Sequence, residues 1–209
     1  MQKSNLFLVS APSGTGKSTL INSVLDRAKQ SHFPLELSIS FTTRTPRVGE
    51  TDSDHYFFIS PEEFIAKKES NFFLEYAQVH GNWYGTSVDF VQSKLDEGVS
   101  LILEIDVQGF RLIHDLAFDY ESIFILPPSI FALEDRIKKR GDSDLSSINL
   151  RLENAKNELM CAGEYKNLII NDAFDEASEA LYRIITEEST INEQNRQELE
   201  LFLAKLLSS

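Results

Sequence analysis

Short apolar runs alternate along the chain with stretches of helical spacing. Each run is typical of a buried strand, and the runs are NLFLVS (5–10), SLILEIDV (100–107), SIFIL (122–126) and NLIIN (167–171). After the first run, the apolar residues Leu20, Ile21, Val24 and Leu25 follow the spacing of an amphipathic helix. Because strands that alternate with helices form a parallel sheet covered on both faces, the pattern predicts an α/β fold.

Residues that begin and end helices support this alternation. The segment SPEE at 60–63 combines an N-cap serine, a proline at the first helical position and a glutamate that can complete a capping box. It therefore predicts a helix over PEEFIAKKE. Ser87 and Ser129 are predicted to begin two further helices, which Gly98 and Gly141 can end.

Two segments depart from the alternation. Between 35 and 85, the runs LELSIS, HYFFIS and FFLEYAQV are strand-like, and HGNWYG is typical of a turn between strands. We therefore predict a small, mostly β insertion on the parallel core. The tail, TINEQNRQELELFLAKLLSS, has apolar residues on one face and predicts an amphipathic helix that packs on the domain or on another subunit.

Composition narrows the class of protein. At 209 residues the chain fits one domain, its apolar runs are too short to cross a bilayer, and its start lacks the pattern of a signal peptide. Cys161 is the single cysteine, which excludes an intramolecular disulfide and favours the reducing cytoplasm. The formal net charge of −13 disfavours binding to nucleic acid or to an anionic membrane, so we expect neither partner.

The segment APSGTGKS matches the phosphate-loop motif G-x-x-x-x-G-K-[ST], with Ala11 in place of the first glycine. Such a loop points backbone N–H groups and a helix N-terminus at phosphates, while a lysine reaches the terminal phosphates and a hydroxyl binds Mg²⁺. Gly14, Gly16, Lys17 and Ser18 can supply these parts. The motif predicts a nucleoside triphosphate ligand and leaves a GTPase, an ATPase motor and a small-molecule kinase open.

A second stretch with candidate phosphate ligands follows the first predicted helix. Arg44 and Arg47 flank Pro46, which stiffens the backbone between them. Arginine suits bidentate capture of a phosphate, and Ser40 and Tyr56 add hydroxyl groups nearby. The stretch therefore predicts a second phosphate site; solvent-exposed arginines without a ligand are the alternative interpretation.

Several motifs together resemble those of guanylate kinases. They occur in the family's order and at roughly its spacing, from about residue 6 to residue 185: SAPSGTGKST, TTRTPRVGE, FLEYAQVHGNWYGTS, LEIDVQG, PPS followed by RIKKRG, and IIND. The resemblance implies phosphorylation of GMP, and also of dGMP, with ATP as co-substrate and Mg²⁺ as cofactor. It implies a P-loop NTPase-type parallel sheet with flanking helices, a β-rich GMP-binding insertion and a helical lid.

The resemblance also implies how one domain over 1–209 is divided. The expected parts are a core at about 1–34, 87–127 and 161–190, a GMP-binding region at about 35–86, a lid at about 128–160 and a C-terminal helix at about 190–207. The sequence leaves the choice between a monomer and a homo-oligomer open.

Roles of individual residues follow from the resemblance. The ATP phosphates would lie on Ala11, Pro12, Ser13, Gly14, Thr15, Gly16, Lys17, Ser18 and Thr19, with Ser18 also on Mg²⁺. The adenine of ATP would lie near Asn171 and Asp172. The GMP phosphate would be held by Ser40, Arg44, Arg47, Tyr56 and Tyr84, and the guanine read by Glu75, Thr86 and Asp106. The residues implied in catalysis are Lys17, Arg44 and the lid arginines Arg136, Arg140 and Arg151.

The implied base recognition is chemically sensible. Guanine presents two N–H donors beside an acceptor, which a carboxylate and a hydroxyl can satisfy together, whereas adenine would leave the Glu75 carboxylate unpaired.

Two positions depart from the family pattern. Thr86 stands where serine is common and keeps the hydroxyl, while Glu104 stands where aspartate is common and its longer side chain could alter contacts around Mg²⁺ or water.

Three other functions are alternatives. A regulatory GTPase would need an N-K-x-D stretch after a strand, and the chain has none. A non-catalytic module that resembles guanylate kinases typically has a degraded phosphate loop, whereas Lys17 and Ser18 are present here. A P-loop kinase for another phosphorylated acceptor, such as a ribose phosphate, would lack the set of residues that reads GMP.

Overall fold

The computed structural model describes residues 5–79, 81–114, 119–139, 145–187 and 193–208, without the side chains at 145, 146 and 193–195. The strands are β1 (Leu6–Ser10), β2 (Leu35–Leu37), β3 (Phe41–Thr42), β4 (Phe57–Phe58), β5 (Phe73–Val79), β6 (Asn82–Ser87), β7 (Ser100–Glu104), β8 (Tyr120–Leu126) and β9 (Asn167–Ile170). The helices are α1 (Lys17–Gln30), α2 (Pro61–Glu69), α3 (Val88–Asp96), α4 (Val107–His114), α5 (Ile130–Lys139), α6 (Leu145–Met160), α7 (Phe174–Glu187) and α8 (Glu193–Leu207), with a short 3-10 turn at Ala162–Glu164.

Backbone contacts divide the chain into two compact units. The first unit comprises Met1–Leu6 and Pro34–Tyr120, and the second comprises Phe7–Phe33 and Glu121–Ser209. The division into core, GMP-binding region and lid that the resemblance implies stays a prediction.

The main sheet has five strands in the order β2-β7-β1-β8-β9. Within the first unit β2 pairs in parallel with β7, and within the second unit β8 pairs in parallel with β9. All five residues of β1 are buried, which is typical of a strand covered on both faces. The predicted α/β fold, a parallel sheet with flanking helices, is confirmed.

The strand β2 corrects one detail of the prediction. LELSIS was expected to belong to the β insertion, but Leu35–Leu37 pairs with β7 in the main sheet, with Leu35 opposite Ser100 and Leu37 opposite Ile102. The chain leaves the main sheet only after Ser38, whose N–H donates to the carbonyl of Ile102. A short apolar run does not reveal its pairing partner, because pairing with β7 depends on residues more than sixty positions away.

A smaller sheet in the first unit has the strand order β4-β3-β6-β5. The hairpin of β5 and β6 is antiparallel, and Gly81, with φ of 81°, lies at its turn, as the HGNWYG segment predicts. Stacked rings hold this sheet against α2, where the Phe64 ring lies 4.4 Å from Phe73 and 5.7 Å from Trp83, centroid to centroid. These aromatic residues form a local core between α2 and the hairpin of β5 and β6.

The predicted helix boundaries are confirmed where the structure describes them. At α2 the Ser60 hydroxyl accepts from the Glu63 N–H at 3.1 Å, while the Glu63 carboxylate accepts from the Ser60 N–H at 2.9 Å, which completes the capping box. Ser87 caps α3, Gly98 follows that helix with φ of 82°, and the Ser129 hydroxyl accepts from the first turn of α5. Gly141 lies outside the described residues.

The helices that adjoin the loop after β1, α1 and α5, are packed against other helices of the second unit. The buried face of α1 consists of Leu20, Ile21, Val24 and Ala28. Ser23 and Ser178 join α1 to α7 through a 2.7 Å hydrogen bond between their hydroxyls. Helix α5 packs on α6 through a small apolar cluster of Leu133, Ile137, Ile148 and Ala155.

The C-terminal helix α8 agrees with the amphipathic pattern of the tail. Leu203 and Leu206 are buried, whereas Leu201 on the opposite face is 64% exposed. The helix lies against α6 and β9 within the second unit. Among the described residues, none of the helices combines the length and the apolar character that a membrane span requires.

Candidate functional site

The predicted phosphate loop, residues 10–19, runs from the last residue of β1 into the first turn of α1. Gly14 and Gly16 have φ of 92° and 96°, which is the left-handed region that glycine enters without strain. A Cβ at Gly14 would also lie 3.1 Å from the Ile137 side chain, so α5 packs directly on the loop. The loop conformation therefore depends on glycine at both positions.

The N-terminus of α1 suits an anion. Lys17 is the first residue of the helix and Ser18 follows it, so backbone N–H groups of the first turn adjoin the loop. That turn contains no acidic residue, and the helix dipole favours negative charge at this end. A phosphate placed here would meet backbone N–H groups and the Lys17 ammonium together.

Two side chains from distant parts of the second unit bind the carbonyl of Thr15 in the phosphate loop. The Asn171 amide nitrogen donates to this oxygen at 2.7 Å, and the Arg136 guanidinium donates to it at 3.1 Å. A second guanidinium nitrogen of Arg136 donates to the Asn171 backbone carbonyl at 3.3 Å. The structure thus brings Arg136 and Asn171 to the loop, by contacts that the motif does not reveal.

The remaining residues predicted to bind ATP have varied surroundings. Ser13, Ser18, Thr19 and Asp172 are exposed, Ala11 and Lys17 are half-buried, and Pro12 is buried. Arg151 lies on α6 and is half-buried. Arg140 lies outside the described residues.

The residues predicted to read guanine meet in the first unit. Glu75 on β5 lies opposite Thr86 on β6, and the Thr86 hydroxyl donates to the Glu75 carboxylate at 2.7 Å. Glu75 is 5% exposed and Thr86 is fully buried. Burial raises the pKa of Glu75 to about 7, the hydrogen bond from Thr86 opposes this rise, and the nearby Asp106 carboxylate adds to it.

Gly109 on α4 is a part of this site that the sequence analysis missed. Its N–H donates to the Asp106 carboxylate at 2.8 Å. A Cβ at Gly109 would lie 2.7 Å from a carboxylate oxygen of Glu75. Helix α4 can therefore lie against the Glu75 carboxylate only because position 109 has no side chain. A glycine inside a helix, within the LEIDVQG motif, was the available signal.

Arg44 lies in a network that holds its guanidinium in place. It forms two parallel hydrogen bonds to the Glu50 carboxylate, both 2.9 Å long. Glu50 also accepts from the Arg47 N–H at 2.7 Å. The Arg44 guanidinium and this N–H lower the pKa of Glu50 to about 2. Glu50 was not predicted as a site residue, although it ends the TTRTPRVGE motif.

Hydroxyl groups predicted to hold the GMP phosphate lie around Arg44 and Thr86. The Arg44 guanidinium carbon is 5.4 Å from the centre of the Tyr56 ring, and the Tyr56 and Tyr84 rings are 6.0 Å apart. Hydrogen bonding to Glu50, and then to Tyr84, raises the pKa of Arg44. The Ser40 hydroxyl is 3.4 Å from that of Thr86, whereas Arg47 is exposed.

Comparisons with known proteins agree on one family. A family model described as guanylate kinase matches residues 3–188. The chain is 43% identical to a guanylate kinase of Hahella chejuensis over 209 residues, which cover 100% of this chain and 99% of the relative. It is 45% identical to a guanylate kinase of Histophilus somni over 203 residues, or 96% and 97% of the two chains.

A solved structure leads to the same family. The crystal structure of guanylate kinase from Anaplasma phagocytophilum matches with a TM-score of 0.71 and 28% identity, over 92% of this chain and 89% of the other. The family model and the curated relatives each span nearly the whole sequence. This chain therefore belongs to the guanylate kinase family.

Proposed function

We propose that the protein transfers the terminal phosphoryl group of ATP to GMP, forming ADP and GDP, and that it also accepts dGMP. Membership of the guanylate kinase family makes it a nucleoside monophosphate kinase. The observation that carries the choice of acceptor is the buried Glu75 carboxylate with its hydrogen bond from Thr86. The two oxygens of this carboxylate suit a base that presents two adjacent N–H donors.

Guanine offers these donors on N1 and N2, beside the O6 acceptor. An ionised Glu75 can accept both N–H groups, while the Thr86 hydroxyl keeps the carboxylate in place. Adenine would present an unprotonated ring nitrogen to Glu75 and would leave the buried carboxylate without a donor from the base, with only the Thr86 hydroxyl as its partner. Because an unpaired buried polar group is costly, we expect strong selection for guanine over adenine.

The groups around Arg44 support capture of the GMP phosphate. A planar guanidinium that is oriented by the Glu50 carboxylate is preorganised for a bidentate contact with phosphate oxygens. The Tyr56, Tyr84 and Ser40 hydroxyls can add neutral donors. Arg47 is exposed nearby and can supply a second positive charge when the phosphate is bound.

The phosphate loop supports ATP as the donor. Its left-handed glycines and the first turn of α1 offer N–H groups, and Lys17 offers a positive charge for the terminal phosphates. Arg136 at the loop and Arg151 on α6 are the described members of the implied lid. Together these groups can offset the charge of a triphosphate in a chain whose net charge is −13.

The donor set also fits Mg²⁺. The hydroxyl of Ser18, exposed on the first turn of α1, is a hard oxygen ligand. Within the described ranges, no group of three or more His, Cys, Asp or Glu side chains could hold a metal by itself. This agrees with an ion that is bound mainly by phosphates and water, as Mg²⁺ usually is. When bound, Mg²⁺ would neutralise charge on the triphosphate, and Ser18 would hold it.

Catalysis in this proposal consists of positioning and charge neutralisation. A nucleoside monophosphate has a second pKa near 6, by analogy with phosphoserine, so the attacking oxygen carries no proton near neutral pH. No protein base is needed to activate it. Lys17 and the arginines would stabilise the charge that spreads over the transferring group.

The intact loop is what favours this enzyme over a non-catalytic binding module. Both glycines keep their left-handed conformation, and Lys17 lies at the helix N-terminus. We expect the enzyme to act in the cytoplasm on free nucleotides, without nucleic-acid or membrane partners.

A coupled assay of ADP production tests the proposal. The purified protein is supplied with ATP, Mg²⁺ and, separately, GMP, dGMP, AMP or CMP, and Lys17→Ala serves as the loop-deficient control. We expect turnover with GMP and dGMP, little with AMP or CMP, and a loss of several powers of ten in kcat for Lys17→Ala. Turnover with AMP or CMP but not GMP would refute the acceptor, and no turnover at all would favour the binding module.

A further inference from the structure

The residue Asn171 has a contact that goes beyond its expected place near adenine. We propose that Asn171 is a positioning residue of the phosphate loop, which holds the Thr15 carbonyl so that the next N–H of the loop points at the phosphates. This inference rests on the proposed function, because it assumes that the loop binds the ATP phosphates.

The first observation is the hydrogen bond itself. The Asn171 amide nitrogen lies 2.7 Å from the Thr15 carbonyl oxygen, across 156 residues of sequence. Thr15 is fully buried and Asn171 is 6% exposed. Water therefore has little access to this carbonyl, and loss of the amide would remove one of its two described donors.

The second observation is that Asn171 is itself firmly held. It directly follows β9, and its N–H donates to the carbonyl of Leu126 at the end of β8, at 2.8 Å. Its backbone carbonyl accepts from the same Arg136 guanidinium that donates to Thr15. The backbone of Asn171 is thus held by the sheet at its N–H and by Arg136 at its carbonyl.

The third observation is the close fit at Gly16. A Cβ at this position would lie 2.8 Å from the Asn171 amide nitrogen, too close for any side chain. Gly16 also has φ of 96°, in the left-handed region. Gly16 therefore serves two purposes. Its left-handed conformation makes the turn, and its lack of a side chain leaves space for the Asn171 amide.

The planar peptide group connects this contact to the phosphates. The Thr15 carbonyl and the Gly16 N–H belong to one trans peptide unit, in which they point in opposite directions. Turning the carbonyl toward Asn171 and Arg136 consequently turns the Gly16 N–H to the other side of the loop. A loop that binds phosphate needs its N–H groups, and not its carbonyls, directed at the ligand.

An asparagine suits this task, whereas an aspartate would not. The amide can donate to the carbonyl, while a carboxylate has only acceptors and would repel it. The variant Asn171→Asp keeps the size of the side chain and reverses this interaction. The variant Asn171→Ala simply removes it.

The experiment measures binding of inorganic tripolyphosphate, with Mg²⁺, by calorimetry. This probe has no base, so it reports on the phosphate loop and not on any contact to adenine. Asn157→Ala, at an exposed asparagine of α6, is the matched control. For Asn171→Ala and Asn171→Asp we expect the dissociation constants of tripolyphosphate and ATP to rise by the same factor, at least about tenfold, with KM for GMP unchanged.

Three outcomes would overturn the inference. Weaker ATP binding with unchanged tripolyphosphate binding would mean that Asn171 acts on adenine alone. Unchanged binding of both ligands would mean that the loop does not need the amide. Unfolding of both Asn171 variants, measured by thermal melting, would make the amide a stability element. Failure of the proposed function would look different, since the unmodified protein would then neither bind tripolyphosphate nor phosphorylate GMP.

Discussion

At the scale of single residues, burial decides what Glu75 can do. An exposed glutamate would be ionised throughout the neutral range, but Glu75 is 5% exposed and its pKa is raised to about 7. The residue that the resemblance assigns to guanine therefore titrates near the pH at which the enzyme would act. Its protonated form carries no negative charge, and one of its two oxygens becomes an O–H donor, so it can no longer accept from both guanine N–H groups as a carboxylate can.

The first prediction is a pH dependence of GMP binding. As the pH falls below about 7, Glu75 gains a proton, and the ionised fraction drops from about nine-tenths at pH 8 to about one-tenth at pH 6. We expect KM for GMP to rise about tenfold over this range, while KM for ATP changes much less. Steady-state kinetics across the pH range measures both.

The variant Glu75→Gln supplies the control for that pH dependence. Glutamine can still accept from Thr86 but offers guanine no charge. We expect kcat/KM for GMP to fall ~10- to 150-fold at pH 8, because a hydrogen bond to a charged group contributes about 1.5–3 kcal/mol. The tenfold pH effect should disappear in this variant. A pH effect of the same size in Glu75→Gln would assign it to the GMP phosphate instead.

The second prediction concerns Gly109. An added Cβ would lie 2.7 Å from the Glu75 carboxylate, so Gly109→Ala should displace this group from its place beside Asp106. Alanine favours a helix by about 1 kcal/mol over glycine, so any loss must come from the contact. We expect KM for GMP to rise about tenfold with a smaller change in kcat, measured by steady-state kinetics.

Gly163 provides a matched control for Gly109. A Cβ at Gly163 would have no atom within 4 Å, and its φ lies outside the positive range. Gly163→Ala should therefore leave KM for GMP and the melting temperature close to those of the unmodified protein. Equal effects of the two alanines would contradict the role of Gly109.

At the scale of elements, helix α2 is held by its capped N-terminus and by its buried face. The capping box satisfies two backbone N–H groups through Ser60 and Glu63, and Pro61 provides the first helical position. Phe64 on the buried face stacks on Phe73 and Trp83 of the smaller sheet. The helix thus supports β5, the strand that carries Glu75.

The third prediction is that loss of the α2 cap lowers the stability of the protein but leaves kcat unchanged. Ser60→Ala removes the oxygen that accepts from the Glu63 N–H, which should lower the free energy of unfolding by about 0.5–2 kcal/mol. Urea denaturation measures this value. Ser60→Asp keeps a capping acceptor and should recover most of the loss. A drop in kcat below the unfolding temperature would contradict a purely structural role.

At the scale of the whole molecule, the net charge of −13 contrasts with the two anion sites that we propose. Each site therefore depends on local donors. The first unit contains Glu75, Thr86 and Arg44, while the second contains the phosphate loop with Asn171 and Arg136. Since the groups proposed for each ligand lie within one unit, each ligand should stabilise its own unit first.

The fourth prediction is that GMP and tripolyphosphate protect different segments of the chain from amide hydrogen exchange. GMP should slow amide exchange in β5, β6 and the segment around Arg44, whereas tripolyphosphate should slow exchange in the phosphate loop and α1. Mass spectrometry with each ligand alone measures both patterns. In Lys17→Ala the tripolyphosphate pattern should vanish while the GMP pattern stays. Protection of the phosphate loop by GMP alone would contradict this separation.

By itself, the sequence determined the features whose causes are local. The phosphate loop is recognisable because strand, glycine turn and helix follow one another without interruption, and the capping box of α2 lies within four residues. The α/β class was predictable because alternation of apolar runs and helical spacing is a property of the chain itself.

Only the tertiary structure decided which distant groups meet. The pairing of β2 with β7, the contact of Gly109 with Glu75 and the hydrogen bond from Asn171 to Thr15 join residues that no local pattern connects. The raised pKa of Glu75 likewise follows from burial by several elements together. Spacing along the chain determines helices and strands, whereas the surroundings of a side chain depend on how those elements pack.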